Sequence, residues 1–78
     1  MLYRRLRIIR FRFHKTRSEM DELLDLDRNT WGLIESGKKN TPMAILTKLV
    51  QEYGVSPLYL ITGEGQLFTH PDSGSFIL

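Results

Sequence analysis

Residues 27–42, read D-R-N-T-W-G-L-I-E-S-G-K-K-N-T-P, leave this chain few ways to fold. They describe a short helix behind an acidic cap, an apolar pair three residues apart, an abrupt glycine stop and a basic polar loop. A second capped start follows at Thr41-Pro42. Isolated helices shorter than about 12–15 residues are marginal in water, because the first turn costs more order than its one hydrogen bond returns. Neighbours must therefore hold this one. Its opposite face is then free to meet something else.

The 78 residues suffice for one small domain. A chain of this size buries only about 60% of its unfolded surface, so one core is the ceiling. Hydrophobic content of 41% with 26% charged residues fits a globular fold. The chain has no cysteine, which excludes a disulfide framework and thiolate metal ligands and fits a reducing, cytoplasmic setting. No apolar run approaches the ~18 residues that argue for a membrane span.

Charge is unevenly spread. Residues 1–17 hold seven Lys or Arg and no acid, residues 18–35 hold six acids and Arg28, and Lys38, Lys39 and Lys48 follow. Two basic blocks flank an acidic one, so a polyanion would be attracted only to certain faces. The Arg-rich start has the composition of a transit peptide. Few hydroxyls accompany it, however, and its removal would leave a very small core.

Five helices are expected. Leu2, Leu6, Ile9 and Phe13 recur at helical spacing over residues 2–13. Residues 9–13 also alternate as a strand would, but no partner strand is signalled. Thr16 and Glu19 form a capping box for a helix over 17–24, with Met20, Leu23 and Leu24 inward. Asp27 caps a third helix over 28–36, with Trp31 and Ile34 inward and Gly37 as its stop. Thr41 caps a fourth with Pro42 at its first position, striped by Ile45, Leu46, Leu49, Val50 and Tyr53 and closed by Gly54. Ser56-Pro57 opens a fifth over 58–62, closed by Gly63 and Gly65. Residues 69–78 read as a tail carrying an apolar Phe76-Ile77-Leu78.

This pattern resembles the DNA-binding domain of phage repressors and Cro proteins, the XRE-like helix-turn-helix family. The resemblance runs without a gap from Leu6 to Gly65. It is carried by Ile9-Arg10, Thr16, Met20, Leu24, Trp31, Ile34-Glu35, Gly37-Lys38, Thr41-Pro42 and the run Tyr53-Gly54-Val55-Ser56-Pro57-x-Tyr59-Leu60-x-x-Gly63. It implies an all-α, compact five-helix, lambda-repressor-like domain over residues 1–68, with residues 69–78 as a tail and possible dimer contact. It also implies a structural ion pair between Arg10 and Glu35. Helix 28–36 would enter the major groove, with Arg28, Asn29 and Thr30 reading bases and Arg17, Lys38, Lys39 and Asn40 holding phosphates. Arg suits guanine and Asn adenine. Double-stranded DNA is the expected partner, bound as a homodimer.

Departures from the family pattern are concentrated at the same place. Arg17 stands where the family has Gln, Asp21 where it has a small Ala, Asp25 where it has the turn Gly, and Asp27 where it has Ser or Thr. Asp21 is costly unless it finds a partner. Asp25 tolerates positive φ less well than glycine. Asp27 repels a phosphate at the helix start. Gly32 offers no side chain, and Leu33 can touch only a thymine methyl.

A second function class therefore stays open: a protein-interaction module of the same fold, of anti-repressor or anti-activator type, that has lost base readout. Ile8 and Phe11 lie off the main face of the first helix. Either they form a partner contact or they pack beneath the tail of their own chain. Catalysis finds no support. His14 and His70 lack ligand or nucleophile partners at useful spacing, and Gly63-Glu64-Gly65 is a helix stop rather than a P-loop. No cofactor, metal or membrane contact is expected. The operator, the regulated gene and the choice between repression and activation are not written in the residues.

Overall fold

A computed structural model describes residues 2–69. Among them the chain forms α1 (Leu2–Arg12), α2 (Arg17–Leu23), α3 (Thr30–Glu35), α4 (Met43–Tyr53) and α5 (Pro57–Thr62). The expected all-α, five-helix fold is what these residues form. The tail Phe76-Ile77-Leu78 and the His70-Pro71-Asp72 segment lie outside the described residues.

Helix spacing prevails over strand alternation in the first segment. Leu6 and Ile9 are fully buried on one face of α1, and Phe13, just past its end, is buried with them, its N–H still donating to the Ile9 carbonyl at 2.9 Å. The helix then stops where His14 turns left-handed at φ 58°. Ahead of α2 the capping box closes in both directions. Glu19 N–H donates to Thr16 Oγ1 at 3.1 Å, and Thr16 N–H donates to Glu19 Oε1 at 2.8 Å.

Two helix starts differ from expectation. Asp27 does not cap α3, which begins at Thr30 rather than at 28. Asp25 and Asn29 both adopt left-handed backbone, at φ 55° and 68°, so the connection from α2 is a double turn and not an early helix. Asp27 contributes only its carbonyl, which accepts the Thr30 N–H at 3.1 Å. Thr41 does not cap α4 either. Pro42 takes that place in extended backbone, ψ 143°, with no side-chain bond, and the helix starts at Met43. A residue preceding proline is itself pushed out of helical geometry, which keeps Thr41 outside the first turn.

The core is built around Trp31, Phe13, Leu6, Ile9, Met20, Ile34, Leu49 and Val55, all fully buried. The Phe13 ring lies 5.8 Å, centroid to centroid, from both Tyr53 and Phe68. After α5 the chain returns over the end of α4. Ser56 N–H donates to the Leu67 carbonyl at 2.8 Å and Thr69 N–H to the Gly54 carbonyl at 2.7 Å, which seats Leu67 and Phe68 on the core. Arg5 on α1 donates to the Leu60 and Ile61 carbonyls, each at 3.1 Å, and so ties α1 to the last turn of α5. Gly63 closes α5 at a left-handed φ of 78°, where a Cβ is strained, and the Arg5 side chain lies against it. α3 itself packs against α1 and α2.

Candidate nucleic-acid interface

The six residues of α3 are held at both ends by charged groups. At its start, Asp21 reaches across from α2. Its Oδ1 accepts the Trp31 N–H at 2.7 Å and its Oδ2 accepts the Asn29 N–H at 3.0 Å. These are orphan donors at the mouth of the helix, which a local cap would normally satisfy. The carboxylate is buried, 8% exposed, and its cost is offset by two charge-assisted bonds. The charge that looked expensive in the sequence is thus the cap of the neighbouring helix.

At the other end, Glu35 is the hub. Its Oε1 accepts from Arg10 Nε at 2.7 Å and from Trp31 Nε1 at 3.1 Å, and its Oε2 accepts from Arg17 Nε at 2.7 Å and Arg10 Nη2 at 3.4 Å. The Glu35 side chain is only 1% exposed. Burial pushes its carboxyl up, but the bonds from Arg10, Arg17 and Trp31 together with the Arg10 charge outweigh this, and the net direction is down from the ordinary glutamate value. The cluster joins α1, α2 and α3 and keeps a net positive charge, two guanidiniums against one carboxylate.

With Trp31, Ile34 and Glu35 turned inward, α3 turns Gly32 and Leu33 outward. Leu33 is 43% exposed. Between α2 and α3 lies a shallow concavity of about 560 Å³, bordered by Arg17, Asp21, Arg28, Asn29, Gly32, Leu33 and Lys38 among others. Arg28 and Asn29 are exposed on the turn that precedes α3, and Thr30 is half-buried in its first turn. Lys38, Lys39 and Asn40 are exposed in the loop beyond the glycine stop. There Lys38 N–H and Lys39 N–H both donate to the Leu33 carbonyl, at 2.9 and 3.2 Å, which fixes the loop against the end of α3. The fold therefore brings Arg17, Arg28, Asn29 and Lys38 to one hollow, with Lys39 and Asn40 next to it in sequence. Arg10 lies behind, half-buried, among the interior contacts.

The surface is not uniformly basic. A second hollow beside the first is bordered by Asp21, Glu22, Asp25 and Arg28, with Asp27 exposed on the same turn. On α1, Ile8 and Phe11 are about half exposed, and the Arg7 and Arg10 guanidiniums lie over the Phe11 ring at 5.5 and 4.7 Å. Another apolar set, Met43, Leu58 and Ile61, is exposed along α4 and α5.

Sequence reasoning missed the Asp21 cap and the Arg17–Glu35 bond. Both join residues on different helices, at separations of 8 to 18 residues. No local motif announces them.

Two helices meeting across a short turn, the second held by the body of a small all-α domain and exposed along one side, define a helix-turn-helix domain. Residues 3–66 match the family model for helix-turn-helix domains. The chain belongs to that family, in its XRE/Cro-like form, which places it among DNA-binding domains. Comparison with curated proteins and with solved structures finds no significant match.

Proposed function

We propose that this chain is a sequence-specific DNA-binding transcriptional regulator of Cro/repressor type, acting in the cytoplasm with α3 and the turn before it in the major groove. The observation that carries the reading is the hollow on the outer side of α3, where Arg28, Asn29 and Lys38 converge while Trp31, Ile34 and Glu35 anchor the helix behind. Arg28 has the donors for a guanine edge and Asn29 for an adenine edge. Thr30 stands next to them at the helix start, and Leu33 can meet a thymine methyl. Lys38, Lys39 and Asn40, exposed just past the glycine stop, suit phosphates and would set register. Each phosphate neutralised steepens the fall of affinity with salt by about 0.9 in the log–log slope.

Reading a palindromic site requires two copies about 34 Å apart. The exposed Leu58 and Ile61 of α5 supply apolar surface for such a homodimer, and Ile8 and Phe11 supply a second patch for a protein partner.

A second reading has its own observation. Asp25 and Asp27 are both exposed on the turn that would face the duplex, and their charge opposes phosphate there. That favours a protein-binding module in which base readout has been lost. Retardation of labelled genomic fragments at two salt concentrations separates the two. The DNA-binding reading expects shifted bands that weaken steeply with salt. A folded sample that shifts nothing at low salt would leave only the protein-binding reading.

A further inference from the structure

We propose that Arg17, carried by α2, reads a guanine in the major groove in place of the side chain that α3 lacks at Gly32. The inference rests on the DNA-binding reading above and names one of the bases that reading requires.

Gly32, half-buried in the middle of α3, carries no side chain toward the hollow. A Cβ built at Gly32 would point at Arg17, 3.6 Å from its Cδ and 3.9 Å from its Nη1. The arginine therefore lies against the part of α3 where a reading side chain would project. When a recognition helix enters the major groove its N-terminal residues meet base edges, and Gly32 is the third residue of α3, whereas contacts to the phosphate backbone set register. Arg17 takes the former place and Lys38 and Lys39 the latter. The missing Cβ also lets the α3 backbone approach more closely.

The guanidinium is tethered to the body of the domain by one charge-assisted bond. Its Nε donates at 2.7 Å to a Glu35 oxygen that is itself fixed by Arg10 and buried beside Trp31. The rest of the arginine remains available: its side chain is 54% exposed, and Nη1 and Nη2 donate to nothing among the described residues. What is left is a planar pair of donors on a fixed support. A guanine presents two acceptors, O6 and N7, that such a fork fits. Because the tether is in place before binding, less rotamer freedom is lost on contact. Glu35 does not cancel the charge, since Arg10 shares the carboxylate.

The test is selection of duplexes from a randomised pool by the full chain, by Arg17→Gln and by Gly32→Gln, with melting curves recorded for each. The parent is expected to select G at one position of the half-site. Arg17→Gln should abolish that preference and weaken the selected sequence about tenfold, with little loss on duplexes already substituted at that position. Gly32→Gln leaves the Arg17–Glu35 bond unbroken by chemistry but puts a side chain where Arg17 lies. It should alter preference at the same base position, and it keeps the test decisive if Arg17→Gln proves unfolded. If Arg17→Gln instead weakens every sequence by one factor and lowers the salt slope by about 1, Arg17 holds a phosphate and the inference fails while DNA binding stands. Preferences that move at different positions in the two variants also overturn it. A parent that retains no duplex at low salt removes the underlying reading as well.

Discussion

Asp21 on α2 accepts the Trp31 N–H of α3 at 2.7 Å, so the helix that faces outward is capped by the helix that packs across it. The orientation of α3 thereby depends on α2 directly, through charge-assisted bonds as well as through apolar contact. Asp21→Ala should leave both the Trp31 and Asn29 N–H groups without partners. A lost cap costs about 1 kcal/mol and a buried orphan donor adds to it, for a total near 2 kcal/mol. In a domain of this size that lowers the melting temperature by roughly 10 °C. Asp21→Asn keeps one acceptor and should fall between. Thermal melts that leave the Ala variant level with the parent would show that α3 is held by packing alone.

That bond also marks where the sequence stops being readable. The capping box at Thr16 and Glu19, the Ser56 cap and the left-handed Gly37, Gly54 and Gly63 are contacts between residues a few positions apart, and spacing alone announces them. The core stripe of Leu6, Ile9 and Phe13 is equally local. The sequence at residues 27–30 points to a cap at Asp27, whereas the real cap of α3 is Asp21 on another helix, which nothing at those residues records. Asp21 read as a penalty because composition gives a charge without its partners. The hollow was legible only as a set of polar and basic residue types. Which of them share a surface depends on how α2 crosses α3, and that is decided by the Asp21 and Glu35 contacts at long range.

Asp25 sits at φ 55°, in the region where a Cβ is strained. Asp25→Gly should relieve the strain and raise stability by about 1 kcal/mol, since left-handed backbone costs L-residues roughly 1–2 kcal/mol and aspartate somewhat less. The same change removes an acid from the turn beside Arg28. Chemical denaturation should show a higher midpoint with an unchanged slope, and DNA affinity should rise on all sequences. A lower midpoint would mean that the Asp25 side chain contributes more to the turn than its backbone costs.

Glu35 predicts an acid limb. Its carboxyl titrates below the ordinary value in the folded chain, so its contribution is complete above the unfolded-state value of about 4.3 and is lost as pH falls through the lowered folded value. Glu35→Gln strands the largely buried Arg10 and should cost about 3 kcal/mol at neutral pH. Melts of parent and variant at pH 7, 5 and 3 should show a constant gap between the first two and a narrower one at the third. A gap that stays the same at pH 3 would mean that Glu35 acts there by shape and hydrogen bonding, not by its charge.

Lys38, Lys39 and Asn29 should fail in different ways when replaced. Lys38→Ala with Lys39→Ala removes two exposed cations from the loop after α3. Binding should weaken by a similar factor on specific and non-specific duplexes, and the salt slope should flatten by about 1 per lysine. Asn29 must be replaced with more care, because its φ of 68° would strain an alanine. Asn29→Gly removes the amide and keeps the backbone, so a change in binding reports the side chain alone. It should shift preference at one base position by about 1–3 kcal/mol and leave the salt slope intact. Fluorescence anisotropy on a cognate duplex and its single-base variants, at two salt concentrations, distinguishes these outcomes. If the Asn29 variant loses affinity equally on every duplex, the amide holds backbone rather than base, and readout at the start of α3 falls to Arg28 and Thr30.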